Sequence, residues 1–335
     1  MELQGERRRA KRGAYTNPPV GNSQSVTIDF PAVGTLYPAT MVEMIIDRDS
    51  DLVTGSHGPE TLRGFRLAKP GRMPRQPVTV ALENDVAGDR VSDPAGTGFA
   101  RGSANGRGKL PLLVFLGDCQ RFATTLCLSQ TNQSVVFVQP YPDKTESFFG
   151  GIITIGDIGM PGRGGSVESE TAGLQWRKIA RERDRSYPLG IGLSSPLGVT
   201  GNVSKWVPMP SAHGVALSLG LDSRRVLASF LAPPVMALLP EMLSLRNGYS
   251  LVRITPSSAV PWVVRANPRL GTLAGRMTLP APAVNSRVSG VLLQDQSFGF
   301  QIGVGLVKIP ILGSVPGSFE TMGLNLDNAN RISGN

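Results

Sequence analysis

Short runs of Val, Ile, Phe and Thr recur along the chain, each closed by Gly, Pro, Asn or Asp. This punctuation constrains the fold more than any other feature. Such runs read as strands over 24–30, 40–47, 77–83, 111–116, 121–129, 134–139 and 148–155. Further runs lie at 203–208, 214–219, 249–255, 259–265, 287–293 and 297–308. With 40 Gly and 27 Pro in 335 residues, long uninterrupted helices are excluded, since Gly costs entropy inside a helix and Pro breaks it. Many short strands without intervening helices predict an all-β fold and argue against a parallel βαβ sheet.

One helix is expected where Asp222 or Ser223 offers an N-cap to the run Arg224–Leu231, with Pro233 and Pro234 ending it. A second short turn is expected over 235–239. Residues 84–110 and 156–202 lack periodicity and read as long loops, which in compact domains are usually functional or interfacial.

The net charge is +9, carried by 27 Arg and only seven Lys. Arg suits bidentate phosphate and carboxylate pairing better than Lys does. Five cations, Arg7, Arg8, Arg9, Lys11 and Arg12, stand in the first 13 residues against Glu2 and Glu6. Residues 1–23 therefore read as a basic N-terminal arm able to contact nucleic-acid phosphates in a salt-dependent, sequence-independent way. No apolar h-region marks a signal peptide, and no apolar run has the length of a membrane helix.

Residues with catalytic or ligating chemistry are few. His57, His213, Cys119 and Cys127 are the whole His and Cys complement, and their spacing matches no structural zinc motif. The two Cys read as buried small hydrophobes, and His213 as a turn residue. Asp47, Asp49 and Asp51 alternate after an apolar strand. An extended chain would place these carboxylates on one side, where they could ligate a hard cation such as Ca2+. The run departs from an EF-hand loop, with Leu52 where Gly is needed and Gly58 where Glu is needed. The Gly clusters lack a phosphate-loop context, and no Gly-x-Ser-x-Gly elbow occurs.

The segment from Leu293 to Val304 resembles a C-terminal strand of picorna-like virus capsid proteins of the dicistrovirus, iflavirus and marnavirus groups. Asp295, Ser297, Phe298, Gly299, Phe300 and Gly303 match that segment in order, while Gln294 and Gln296 replace its first Asp and first Phe. The stretches 223–231 and 245–254 are similar to a Ser/Leu/Arg-rich helix and a following basic–apolar strand of the same proteins, so the resemblance spans roughly 215–308.

The resemblance implies a single eight-stranded antiparallel jelly-roll β-sandwich over 24–312, with long loops, one or two short helices and a C-terminal extension over 313–335. It implies a capsid protein, not an enzyme, that self-assembles into an icosahedral shell around single-stranded RNA. The partners would be copies of itself, related capsid subunits and the genome. Ca2+ held by Asp47, Asp49 and Asp51 would sit at subunit interfaces, and the location would be the virion, assembled in the host cytoplasm. In those proteins an acidic residue before this strand is linked to autocatalytic precursor cleavage, a role only Asp295 could take here. Phe298 and Phe300, two apart, would point into the sandwich core. Rival readings are a ligand-binding β-sandwich, a phage head or tail component, and a hydrolase.

Overall fold

The computed structural model describes residues 21–30, 40–57, 60–66, 76–84, 94, 98–105, 108–129, 131, 133–141, 146–155, 165–168, 174–221, 223–231, 240–254, 262–280, 283–294, 301–311 and 317–329. Among them are 21 strands and one helix, with every strand pairing antiparallel. The all-β antiparallel class expected from the punctuated runs is what the chain adopts.

The first four strands, β1 (Ser23–Phe30), β2 (Thr40–Asp47), β3 (Leu52–His57) and β4 (Glu60–Phe65), form a meander in chain order. Alternate residues Val26, Val42 and Met44 are buried on one face, with Ile46, Val53 and Leu62 packed against them.

A second sheet holds β5 (Gln76–Asn84), β6 (Gly98–Ala104), β7 (Lys109–Phe115), β8 (Arg121–Cys127) and β9 (Gln133–Val138). It continues with β10 (Phe148–Ile155), β11 (Gly165–Glu168), β12 (Leu174–Arg177) and β13 (Leu197–Lys205). Both β11 and β12 pair with β10 on one side and β13 on the other, so these two short strands share one slot. The inward residues, among them Val80, Leu112, Ile153, Trp176 and Val203, make one core. Strands β6, β11, β12 and most of β13 lie in the stretches expected as loops.

The helix α1 (Ala212–Ser218) follows, capped by Ser211, whose Oγ accepts from the Gly214 backbone N–H at 3.0 Å. This segment falls in a run expected as a strand. The alternation of Val215, Leu217 and Leu219 gives way to a helix that buries Val215, Ala216 and Leu219 and leaves Leu217 exposed.

The last strands are β14 (Arg225–Leu231), β15 (Glu241–Leu245), β16 (Ser250–Arg253) and β17 (Trp262–Asn267). They are followed by β18 (Thr272–Pro280), β19 (Ala283–Leu292), β20 (Gln301–Pro310) and β21 (Phe319–Asn328). Each pairs with its neighbour in sequence, and β14 pairs with β21 to close an eight-stranded barrel. The expected single eight-stranded unit over 24–312 is instead 21 strands in three sheets among the described residues, and the barrel strands connect consecutively, whereas a jelly roll interleaves its strands through Greek-key crossovers.

Strand β14 takes the place of the expected helix. Arg224 has φ +55°, which a right-handed helix does not admit, and Val226 and Ala228 alternate inward between two ladders. Barrel closure outweighs the local helix signal. Strand β21 falls within the stretch expected as a C-terminal extension, and it completes the barrel. An eight-stranded barrel is just wide enough for side chains to fill. Leu219 and Leu221, following α1, pack with Leu245, Leu273 and Leu326, leaving a void of only about 10 Å³. That is too small for a ligand, so side chains fill this part of the barrel.

The second sheet and the barrel meet face to face. Phe99 and Phe115 stack at 4.6 Å, and Ala81 and Phe99 pack with Val291, Leu293, Val304 and Leu306. Thr79 donates its hydroxyl to the Leu292 carbonyl at 2.7 Å in this buried seam. Gln294 ties three elements together. Its backbone N–H donates to Ser204 Oγ at 2.8 Å, and its Oε1 accepts from the Val207 N–H at 2.6 Å. Its Nε2 donates to the Val207 carbonyl at 2.9 Å and to Ser218 Oγ at 3.0 Å. An Asp here, as in the resembled viral segment, would be one carbon shorter and would have no N–H to donate. Trp206 is fully buried against Gly271 (φ +64°), where an added Cβ would stand 2.5 Å from the indole.

Candidate functional site

The expected arm residues Arg7, Arg8, Arg9, Lys11 and Arg12 lie outside the described residues, as do Asp295, Phe298 and Phe300. Asp47, Asp49 and Asp51 are described, and each turns to a different protein donor. Asp47 accepts from the Asp49 N–H at 2.9 Å and from Ser50 Oγ at 2.7 Å. The Ser50 hydroxyl, then the Asp49 amide, hold its carboxyl below the usual value. Asp49 accepts from Asn22 Nδ2 at 2.5 Å. Asp51, at φ +58°, is buried and accepts from Arg66 Nε at 2.7 Å. The alternation expected to align three carboxylates is broken by the turn at 48–50, which reorients each in succession. Among the described residues no group of three or more His, Cys, Asp and Glu side chains is arranged to hold a metal ion.

His213 sits exposed on α1, not in a turn. Cys127 is exposed on β8, contrary to the expected buried thiol. Cys119 is half-buried with φ +66°, and burial, reinforced by Asp118, pushes its thiol up to about 12. That shift favours the neutral thiol, the less nucleophilic form.

A buried ionic cluster joins the β7–β8 turn to the segment after β12. Asp118 and Lys178 are each 3% exposed, with Lys178 Nζ 3.8 Å from Asp118 Oδ2 and 3.2 Å from Asp184 Oδ2. Lys178 Nζ also donates to the Ser186 carbonyl at 2.6 Å. The Tyr141 hydroxyl donates to Asp118 Oδ2 at 2.8 Å and accepts from Trp176 Nε1 at 2.9 Å, while the Gln120 N–H donates to Asp118 Oδ1 at 2.9 Å. Burial raises the Asp118 carboxyl, and Lys178 opposes that shift. Burial and then Asp118 push the Tyr141 phenol well above its usual value. With two acceptors at hydrogen-bond distance and a second carboxylate beside it, the Lys178 ammonium is solvated by the protein. The cluster acts as a joint that holds the 178–191 segment, whose Tyr187 hydroxyl reaches Thr321 Oγ1 on β21 at 2.8 Å.

The outward faces carry a different signal. Strand β9 is apolar on both sides: Val136 is buried, while Val135 and Phe137 are 42% and 48% exposed. Phe137 stacks on Phe148 of β10, with ring centroids 5.9 Å apart, so the two strands present one apolar strip. Strand β2 differs: Val42 and Met44 point inward, while Met41 (61%) and Ile45 (54%) point outward on either side of the exposed Glu43. Strands that are apolar on both faces ordinarily have both faces covered. In β9 one face is open, and an exposed apolar strip of this kind marks a contact surface.

The sequence already held this signal in the run SVVFVQ, which is nearly continuous rather than alternating. The Asp118–Lys178 pair had no such signal, because 60 residues separate its members. No family model, curated protein or solved structure matches the chain. No helix among the described residues is long and apolar enough to cross a membrane.

Proposed function

We propose that the protein is a structural subunit that assembles with copies of itself, and with related subunits where these exist, into an icosahedral shell around single-stranded RNA. The single observation that carries this reading is the outward apolar strip of Val135 and Phe137 on β9 with Phe148 on β10, to which β2 adds the exposed side chains Met41 and Ile45. Burying such faces between copies is the main driving force of association. The basic arm, Arg7 to Arg12, supplies sequence-independent phosphate contacts on this reading. The resemblance of 293–304 to a capsid strand adds to it. The shell would form in the host cytoplasm and persist as the virion.

A second reading, a phage or non-viral β-structural protein with the same self-associating faces, is favoured by one observation. The barrel strands follow one another by consecutive pairing, unlike a jelly roll.

Electron microscopy of the purified full-length protein, with nuclease treatment before RNA extraction, separates these readings. The shell reading expects closed particles some tens of nanometres across that protect RNA. Open sheets, tubes or rings without protected RNA support the second reading. A monodisperse monomer that protects no RNA overturns both.

A further inference from the structure

Three cations stand side by side on the outside of the barrel. In the β18–β19 ladder Arg276 lies directly opposite Arg287, and in the β19–β20 ladder Arg287 lies directly opposite Lys308. Directly opposed residues share a face, with Cβ atoms about 4.5–5.5 Å apart. The neighbours Met277, Val288 and Val307 point into the core, so the three cations point outward. Arg276 and Arg287 are exposed. Lys308 is held over the Phe319 ring, its Nζ 3.6 Å from the centroid.

Like charges directly opposed across a ladder are destabilising. Arg276, Arg287 and Lys308 line an open pocket of about 370 Å³ that Phe115 and Cys119 also border, and no carboxylate lines it among the described residues. The nearby Asp118 is turned to Lys178, Tyr141 and the Gln120 N–H. The Cys119 thiol contributes no negative charge, since burial keeps it protonated. The row thus concentrates positive charge beside a concave surface with no carboxylate among the described residues that line it.

We infer that the row Arg276–Arg287–Lys308 is a phosphate-binding track for single-stranded nucleic acid. Strands lie about 4.8 Å apart, so three adjacent strands spread the charges over roughly 10 Å. That span suits successive phosphates of a polymer more than a single phosphate ion. Two Arg forks offer bidentate phosphate contacts. Phe115, half-buried and stacked on Phe99, forms the apolar wall of the groove beside the cations. The inference rests on the shell reading for its choice of RNA as the natural polymer. The charge pattern itself stands without that reading, and it places RNA contact on the folded barrel in addition to the arm.

The test is fluorescence anisotropy of a labelled oligouridylate with the full-length protein, at several salt concentrations. The variants are Arg276→Gln/Arg287→Gln/Lys308→Gln and, separately, Arg7, Arg8, Arg9, Lys11 and Arg12 all replaced by Gln. Single-strand binding follows a slope of about −0.7 per phosphate neutralised in log K against log salt. Removing three contacts therefore flattens the slope by about 2. The arm variant retains the part of the slope carried by the barrel row. Inorganic phosphate at matched phosphate concentration does not compete.

The triple variant melts no lower than the parent, because opposed like charges have been removed. If it does not fold, the central Arg287→Gln variant serves alone, with a flattening of about 0.7. An unchanged slope in a folded variant overturns the inference. So does an unchanged slope accompanied by a smaller assembly, which would assign the row to the acidic surface of a second copy. Particle formation is read separately by electron microscopy, so absent particles with a flattened slope would count against the shell reading alone.

Discussion

Replacing Lys178 by Met tests whether the buried cluster is held by charge. Met preserves most of the aliphatic stem and removes the ammonium. Asp118, only 3% exposed, then retains the Tyr141 hydroxyl and Gln120 N–H but loses its cation. At the observed 3.8 Å separation, Coulomb attraction at an effective dielectric of about 20 is worth about 4 kcal/mol. Breaking a buried pair from one side typically costs about 3–5 kcal/mol, which agrees.

The pH dependence follows from the direction of the Asp118 shift. Burial raises the folded-state carboxyl above its ordinary 3.8, and losing Lys178 raises it further. The folded state therefore binds the proton more readily than the unfolded state does. Stability of the variant falls as pH rises from the ordinary value through the raised one, and acidification returns part of the loss. Urea unfolding followed by Trp fluorescence at about pH 7 and about pH 5 measures both effects. The expected deficit is about 4 kcal/mol at neutral pH and smaller in acid. Lys178→Met/Asp118→Asn should recover more than half of it, since the fully buried charge is gone and the remaining carboxylate, Asp184, is partly exposed to water. A neutral-pH deficit below about 1 kcal/mol, or one that grows on acidification, would refute the reasoning.

Other substitutions probe the seam and the acidic turn. Gly271→Ala places a Cβ 2.5 Å from the Trp206 indole at φ +64°, and should cost about 1–3 kcal/mol or more in urea unfolding. Gln294→Glu removes the donors to Val207 and Ser218 and should cost about 1–3 kcal/mol, whereas a surface Gln→Glu control is neutral. A chelator should leave the melting temperature of the unassembled protein unchanged, because Asp47, Asp49 and Asp51 already have protein donors. A drop of several degrees would restore the cation site.

Much of the fold was legible as strand punctuation. Strands β2 and β10 begin and end where the runs 40–47 and 148–155 do, because apolar residues there are bounded by turn formers. Other strands were hidden, three of them for instructive and different reasons. Strand β3 contains Gly55, needed where a Cβ would meet the Glu43 carbonyl at 2.5 Å, so its sequence reads as loop. Strand β14 has a helix's start and stop signals, and only its two ladders decide otherwise. Strand β21 did carry a signal, the alternation of Met322, Leu324 and Leu326, and all three are fully buried.

The connectivity was not legible, because strand order depends on which hairpins close and not on any one run. The candidate surfaces divide in the same way. The two-sided apolar character of β9 is local and visible. The alignment of Arg276, Arg287 and Lys308 depends on the register of two ladders, and the pairing of Asp118 with Lys178 depends on the whole second sheet.

Sedimentation velocity of the full-length protein beside an Ile45→Asp/Phe137→Asp variant tests self-association through the outward apolar faces most directly. Both side chains are about half exposed, so the substitutions leave the cores intact. The account predicts a large assembly for the parent and a folded monomer or small oligomer for the variant, with unchanged circular dichroism. Identical sedimentation of the two proteins, whether both assembled or both monomeric, would contradict it.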